Sequence, residues 1–421
     1  MGQAKKLKTE WDERLYGPVD DRAVCPSHIH DDWLAKRVAE SADAQCTYCG
    51  ADGAANLEEV MPYVMEAVRG YYVRAIEHVH WHELSGAADG EEVLASIADG
   101  DFDDEVALDI AEALSHNDER WTPLWEHRHG WLGAGWDRFC RWVITKSRFL
   151  LEPPTEEDFE PGEQPQKMLG AVGKLILREG LIESLPARTK VYRARTLPEG
   201  TRFRAAHELS APPAELAKPG RMNPLGIPFF YGALDAETAA IEVYDGNMTA
   251  GVAEFETIAP LSVVDLTSLP PLPSIFDAEQ RSRRDQLMFL AGFAEYIARP
   301  IDRNGREDLA YLPSQAVTEY FRLSMPARIG TPVHGLLFRS SRVGQQSPFV
   351  PGDSKPHEGV NIVLFCGAHG GLDDDQVPGG DVLERLRCED QWLRLPKEVV
   401  TRYEYGPPRG SWVGQESLQD K

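Results

Sequence analysis

No stretch of the 421-residue chain holds about 18 consecutive apolar residues, which excludes a helical membrane span. The N-terminus, Met-Gly-Gln-Ala-Lys-Lys-Leu-Lys, is basic, but no apolar segment follows it, so it does not read as a secretion signal. Lys6 stands where a myristoylation context needs Ser or Thr. No Gly-x-Gly-x-x-Gly opens a helix and there is no Walker sequence, so any dinucleotide is not held in the Rossmann manner. There is no internal repeat. Cysteine is scarce: six residues, of which Cys140, Cys366 and Cys388 stand alone. That is no secreted disulfide framework, and a reducing cytoplasm is the expected location. Positive charge is short too. The net charge of −24 repels nucleic acid and anionic lipid, which makes a nucleic-acid or membrane partner unexpected.

The cations that exist are concentrated. Arg188, Lys190, Arg193, Arg195, Arg202 and Arg204 crowd the stretch from Pro186 to Ala206, opposed by Glu199 alone. A solvated basic strand pair accounts for this as well as an anion site does. With 42% hydrophobic residues the chain can build sizeable cores, and its length calls for more than one domain.

Texture divides it. Residues 1–53 are irregular and poor in large apolar side chains. Residues 54–152 are helical, with apolar residues at helical spacing from Asn56 to Ile76, acidic helices at Glu91–Ile97 and Asp104–Ser115, and a Trp-rich segment from Gly130 to Phe149. A proline- and acid-rich linker follows at 153–166. Residues 167–405 then open on an amphipathic helix, Met168–Ser184. Strands are expected at Lys190–Arg195, Ile227–Tyr231, Val252–Ile258, Leu261–Leu266, Val333–Arg339 and Val360–Phe365. Helices are expected at Arg281–Ala298 and Ser314–Met325. Strands and helices do not alternate regularly, so the fold class is α+β rather than doubly wound.

Two places carry chemistry. Cys25-Pro-Ser-His28 and Cys46-Thr-Tyr-Cys49 form two x₂ knuckles across a 17-residue gap. Four such ligands suit tetrahedral Zn²⁺, and a closed four-ligand site is structural. His30 is close enough in sequence to replace His28.

The second place is Gly220-Arg-Met-Asn-Pro-Leu-Gly-Ile-Pro-Phe-Phe-Tyr231, followed by the helix-forming run from Asp235 to Val243. Pro224, Gly226 and Pro228 mark a turn, Asp235 an N-cap. The segment brings Arg221, Tyr231 and Glu242 into one compact unit. Singly, each has a plain structural reading: a solvated arginine, a core tyrosine, a surface glutamate.

Together with Val191-Tyr-Arg193, Phe338-Arg-Ser-Ser-Arg342 and Gly359-Val-Asn-Ile-Val-Leu-Phe365, this segment resembles the RES family, named for its Arg-Glu-Ser triad. Met222 departs from the pattern, standing where an aromatic is usual. Tyr311-Leu-Pro-Ser-Gln315 also looks like a family segment. The resemblance implies a fold similar to ADP-ribosyltransferase toxins and an NAD glycohydrolase or phosphorylase, acting as a toxin or defence effector. It further implies that Arg193, Glu242 and Ser340 are catalytic, with Ser341 as the alternative serine. Arg221, Tyr231 and Arg195 would line the NAD. A neutralising or regulatory protein partner is also implied.

The helical segment resembles the HEPN-like domain that precedes some RES domains. The ribonuclease motif of HEPN domains is met only loosely, by Arg74…His80 and Arg120…His127. Competing readings are an ADP-ribosyltransferase acting on a macromolecule, a zinc-stabilised scaffold, and a HEPN ribonuclease. A chain starting near residue 165 is expected to keep the NAD chemistry.

Overall fold

The computed structural model describes residues 14–19, 21–78, 86–124, 130–149, 164–196, 203, 205–243, 249–299, 307–343, 359–378, 392–396, 400–406 and 411–417. The chain forms two compact units, residues 1–134 with 272–289 and residues 135–271 with 290–421.

The first unit is mainly helical. The helix Leu57–Tyr71 buries Leu57, Val60, Met61, Val64, Met65 and Val68, a stripe at helical spacing. It packs in one core with Val93, Leu94 and Ile97 of the helix Gly90–Ala98 and Val106, Ile110 and Leu114 of the helix Asp104–Leu114. Asp89 opens the second of these helices with a full capping box to Glu92.

The expectation of an irregular N-terminal segment without a core is not met. Strands β1 (Ala23–Val24), β2 (Ala44–Gln45) and β3 (Asp52–Asn56) form a small sheet in the order β1-β3-β2, with a helix at Asp32–Glu40. Val24, Ile29, Leu34 and Val38 are buried in the same core as the long helix. Few apolar residues suffice here because the helices supply the other side of the contact. Strands β4 (Tyr72–Arg74) and β5 (Trp121–Pro123) pair antiparallel, and buried Trp121 donates Nε1–H to the Leu114 carbonyl at 3.1 Å.

Residues 272–289 belong to this unit although they lie far along the chain. Ile275 and Phe276 join its core, and the Phe276 ring stands 5.6 Å edge-on to Phe102. Tyr71 donates its hydroxyl proton to Asp285 at 2.8 Å. A chain cut near residue 165 would expose these side chains, so the expectation for that truncated chain changes.

The second unit is built on a mixed sheet of eleven described strands. Its main path runs β13-β14-β9-β7-β8-β12-β11-β10-β6. In chain order these are β6 (Ile182–Leu185), β7 (Lys190–Thr196), β8 (Phe230–Ala233), β9 (Thr249–Thr257), β10 (Leu261–Asp265), β11 (Gly335–Arg339), β12 (Val360–Leu364), β13 (Gly371–Asp373) and β14 (Leu393–Leu395). β15 (Val400–Gly406) extends from β9 and pairs with β16 (Ser411–Ser417). Among the described strands only β10–β11 and β13–β14 are parallel pairs, as the irregular alternation of elements leads one to expect. The centre is apolar: Phe230, Phe255, Val263, Leu336, Ile362 and Leu364 are fully buried.

Two expected helices end differently. Met168–Ser184 becomes a helix at Pro165–Arg178 followed by β6. Gly180 takes φ +70°, and Leu181 N–H returns to the Ile176 carbonyl at 2.9 Å, the hydrogen bond of a left-handed helix terminus. Ser314–Met325 becomes a helix Glu307–Glu319 with Pro313 inside it, a π-turn at Tyr320–Ser324 and a short helix Met325–Ile329. Pro326 has no N–H for the carbonyl four residues back, and widening the preceding turn accommodates its ring. β8 also begins later than the expected Ile227, because the Pro228 turn cannot join the ladder.

Candidate active site and metal centre

Glu242 lies near the end of the helix Ala236–Val243, which packs on β7, β8, β9 and β12. Asp235 starts that helix, accepting from Thr238 N–H at 2.7 Å and from the Thr238 hydroxyl at 2.6 Å. The Gly359 N–H in turn donates to Thr238 Oγ1 at 3.1 Å, tying the helix start to the entry of β12. The helix therefore projects Glu242 toward the neighbouring ends of β11 and β12.

Two donors meet it there. The Ser340 hydroxyl donates to Glu242 Oε1 at 2.5 Å, and Asn361 Nδ2–H donates to the same oxygen at 2.7 Å. Ser340 follows directly on β11. Its backbone N–H donates to the Gly359 carbonyl at 2.7 Å, prolonging the pairing with β12 by one step, and its side chain is buried. Ser340, and not Ser341, reaches Glu242. The other carboxylate oxygen, Oε2, stands 4.0 Å from Arg342 Nε, and the Glu242 side chain keeps about a third of its surface, 34%, open.

Arg193 lies on β7. Its guanidinium rests 4.9 Å over the Phe230 ring and donates one hydrogen bond, to the Tyr231 carbonyl at 3.1 Å. Its Nε is buried without a partner among the described residues. The residue as a whole is only partly covered. Burial, then repulsion from Arg195, pushes its pKa down to about 9. Its electrostatic surroundings are Arg195, Cys366 and Tyr231, with no carboxylate among the described residues. Arg195 donates to the Ser210 carbonyl at 2.9 Å and is likewise depressed by burial. Lys190 is paired with Glu254 at 2.9 Å. Arg202 and Arg204 lie outside the described residues.

Arg221 sits in a tightly bonded turn that Tyr231, on β8, closes. The Tyr231 hydroxyl donates to Asn223 Oδ1 at 2.7 Å and accepts from Met222 N–H at 3.0 Å. Burial raises its pKa. A Cβ at Gly220 would lie 2.6 Å from Asn223 Oδ1, so only glycine fits there. Gln315 Nε2 donates to the Gly220 and Asn223 carbonyls, at 2.7 and 3.0 Å, and Ser314 to the Arg221 carbonyl at 2.5 Å. The Arg221 guanidinium donates to the Ile297 carbonyl at 2.6 Å and to that of Arg299, at the end of the helix Arg281–Ala298. Burial lowers its pKa; Tyr311 and then Glu242 act against that.

Asn361 is the member of this group that the sequence reading did not single out. The signal was present: it is the one polar residue in the strand Val-Asn-Ile-Val-Leu, every position of which is buried. A buried polar side chain in a central strand requires a partner.

In the first unit, Cys25, His28, Cys46 and Cys49 bring one ligand atom each to within 4.8 Å of one another. β1 leads into Cys25, and the turn between β2 and β3 carries Cys46 and Cys49. That turn is closed by Cys46 N–H to the Ala51 carbonyl at 2.8 Å and Gly50 N–H to the Cys46 carbonyl at 2.9 Å. The Cys25 and Cys49 sulfurs are 3.7 Å apart. A tetrahedral ion with bonds of about 2.3 Å to sulfur needs edges of about 3.8 Å. His28 Nδ1 pairs with Asp103 at 2.6 Å, while its Nε2 is buried without a hydrogen-bond partner among the described residues. That is the outer-shell arrangement of a metal-binding imidazole. His30 is engaged elsewhere, with the Gly100 carbonyl at 2.8 Å and Asp103 at 2.9 Å. Donor set, spacing and the free Nε2 all fit a metal ion.

Arg74, half of the loose ribonuclease motif, is paired with Glu119 at 2.7 Å and Glu77 at 3.2 Å. Its partner His80, and His127 of the second match, lie outside the described residues. Among the described residues no helix is long and apolar enough to cross a membrane.

No curated protein and no solved structure matches the chain. Family models do. Cys46 and Cys49 fall inside the first match and Cys25 and His28 upstream of it, while Arg193, Glu242, Ser340 and Asn361 all fall inside the second. The chain carries an HEPN/RES N-terminal domain 1 over residues 39–157, followed by a RES domain over residues 190–388.

Proposed function

We propose that the RES domain cleaves the bond between nicotinamide and ribose in NAD. The RES match supports a NAD-related, toxin-like enzyme family. The observation that carries the specific reaction is the convergence of Ser340 and Asn361 on Glu242 Oε1, with Glu242 Oε2 accepting no hydrogen bond among the described residues, only the Arg342 guanidinium at 4.0 Å, and one-third of the side chain open.

The chemistry asks little of a general acid. When the C1′–N bond breaks, its electron pair passes to the pyridinium ring and nicotinamide leaves neutral. Positive charge develops on the ribose carbon and ring oxygen. A fixed carboxylate stabilises that charge, and Glu242 takes this role. Ser340 is buried with its proton directed to Glu242 Oε1, so it orients the carboxylate rather than attacking the sugar. Water or phosphate then captures the cation, giving ADP-ribose or its 1″-phosphate.

Arg193 supplies the anion side. A largely buried guanidinium with no carboxylate beside it among the described residues is an unfavourable arrangement in the free protein. A diphosphate would satisfy it, and planar Arg pairs well with phosphate oxygens. Arg195 is the neighbouring cation. Arg221 and Tyr231 shape the adjoining turn, with both polar ends committed to protein partners, so their part in lining the NAD is carried by the turn they hold.

The Cys25–His28–Cys46–Cys49 group holds Zn²⁺ in this reading, as a closed structural site. An enzyme that drains NAD acts as a toxin or defence effector and calls for a restraining partner.

Incubation of the full chain with NAD and phosphate, with products resolved by mass, tests the reaction. Released nicotinamide with ADP-ribose or its phosphate is expected, and intact NAD contradicts it. ADP-ribose attached to protein would favour the transferase alternative.

A further inference from the structure

Ser340 has been assigned a place by its motif; Asn361 has none. It lies on β12, between β8 and β11, opposite Ala233 on one side and Phe338 on the other. The residue is 6% exposed. Its Nδ2–H is given to Glu242 Oε1, while its Oδ1 is buried with no partner among the described residues. Leaving such an oxygen unsatisfied is unfavourable. An apolar side chain of the same shape would avoid that cost in a strand otherwise made of Val, Ile and Leu. The polar residue stands at the one position on β12 from which a donor meets Glu242.

We infer that Asn361 is a positioning residue for the NAD reaction, holding Glu242 Oε1 from the sheet while Ser340 holds it from the strand end, so that Oε2 faces the developing ribose cation. The assignment rests on the function proposed above. Two donors on one oxygen fix both the position and the rotation of the carboxylate plane. One donor fixes the position only. A carboxylate free to rotate stabilises the transition state less, while ground-state NAD, held by its diphosphate, is bound as before. The loss therefore falls on kcat.

Asn361→Leu and Asn361→Asp in the full chain test this, with kcat, KM for NAD and melting temperature measured for each. Asn361→Leu should lower kcat about 10- to 100-fold, by analogy with the loss met when the outer partner of a metal ligand is removed, with KM changed less than about threefold. Asn361→Asp is nearly isosteric and has a second diagnostic. At neutral pH the introduced carboxylate places a like charge beside Glu242, whereas in its protonated form it donates a hydrogen bond as the amide did. The activity of this variant relative to the unsubstituted chain should rise toward acid pH, and that of Asn361→Leu should not. A folded Asn361→Leu protein with unchanged kcat overturns the positioning role. So does an Asn361→Asp protein whose activity relative to the unsubstituted chain is flat with pH, which keeps the test decisive if the Leu variant fails to fold. An unsubstituted chain that leaves NAD intact overturns instead the reaction on which the role rests.

Discussion

The cysteine–histidine cluster and the glutamate cluster are assembled in opposite ways. Cys25, His28, Cys46 and Cys49 span 25 positions and are closed by turns of their own segment. Glu242, Ser340 and Asn361 lie up to 119 positions apart and meet only because β11 and β12 are paired and the helix Ala236–Val243 packs on β12, while Arg193 stands on β7, two strands from β12. The first kind of centre is written in residue spacing. The second is written in sheet topology, where no spacing rule applies. The difference also runs through their chemistry: the local cluster is a four-ligand set, while the distributed one has a carboxylate oxygen that accepts no hydrogen bond among the described residues, 4.0 Å from Arg342.

The comparison is broken most sharply at Glu242. Glu242→Gln keeps the side-chain shape and the Asn361 and Ser340 contacts can adjust, but the charge is gone. Nicotinamide release should fall about 10²- to 10³-fold, with the melting temperature and zinc content unchanged. An equally active, folded variant sinks the assignment.

Arg193→Met should separate function from stability. Affinity for NAD, read by titration calorimetry, should drop at least about tenfold as a phosphate partner is lost. The protein should meanwhile hold its melting temperature or gain, because a desolvated cation with no carboxylate beside it among the described residues is itself unfavourable and an apolar group of similar length removes that cost. A large loss of stability would show that the guanidinium is a structural element.

Asp103→Asn sharpens the other side. It weakens the hold on His28 without touching a ligand atom, and zinc affinity measured by competition with a chromogenic chelator should fall about 10- to 100-fold. The smallest effect is expected from His30→Ala, which should leave zinc content at about one per chain because His30 is turned to Gly100 and Asp103. Loss of zinc in that variant would exchange the roles of the two histidines.

Much of this was legible beforehand, and the parts that were not share a cause. The long amphipathic helices, the strand texture after residue 190 and the Asp235 cap follow from local periodicity and capping chemistry. The Ser340–Glu242 pair followed from resemblance to RES motifs, since nothing local links positions 98 residues apart. The early end of the helix at Arg178 was signalled by Gly180, whose left-handed conformation the amphipathic pattern masked. The burial of residues 23–38 could not be read from their own composition, because the apolar surface that covers them belongs to later helices. The same holds for Ile275 and Phe276, which lie within the RES stretch yet complete the first unit's core. A chain starting near residue 165 would present both to solvent, and aggregation of that fragment is the expected outcome. Asn361 was visible as a polar interruption in an apolar strand, but its partner was not.

The central claim is a division of labour, with a structural metal cluster in one unit and NAD chemistry at Glu242 in the other. Zinc content and nicotinamide release measured on the same full-length sample, before and after chelation and below the melting temperature of the zinc-free protein, test it most directly. The account predicts that zinc falls from about one per chain toward zero while the rate per folded molecule is retained. A rate that falls in proportion to zinc would contradict it.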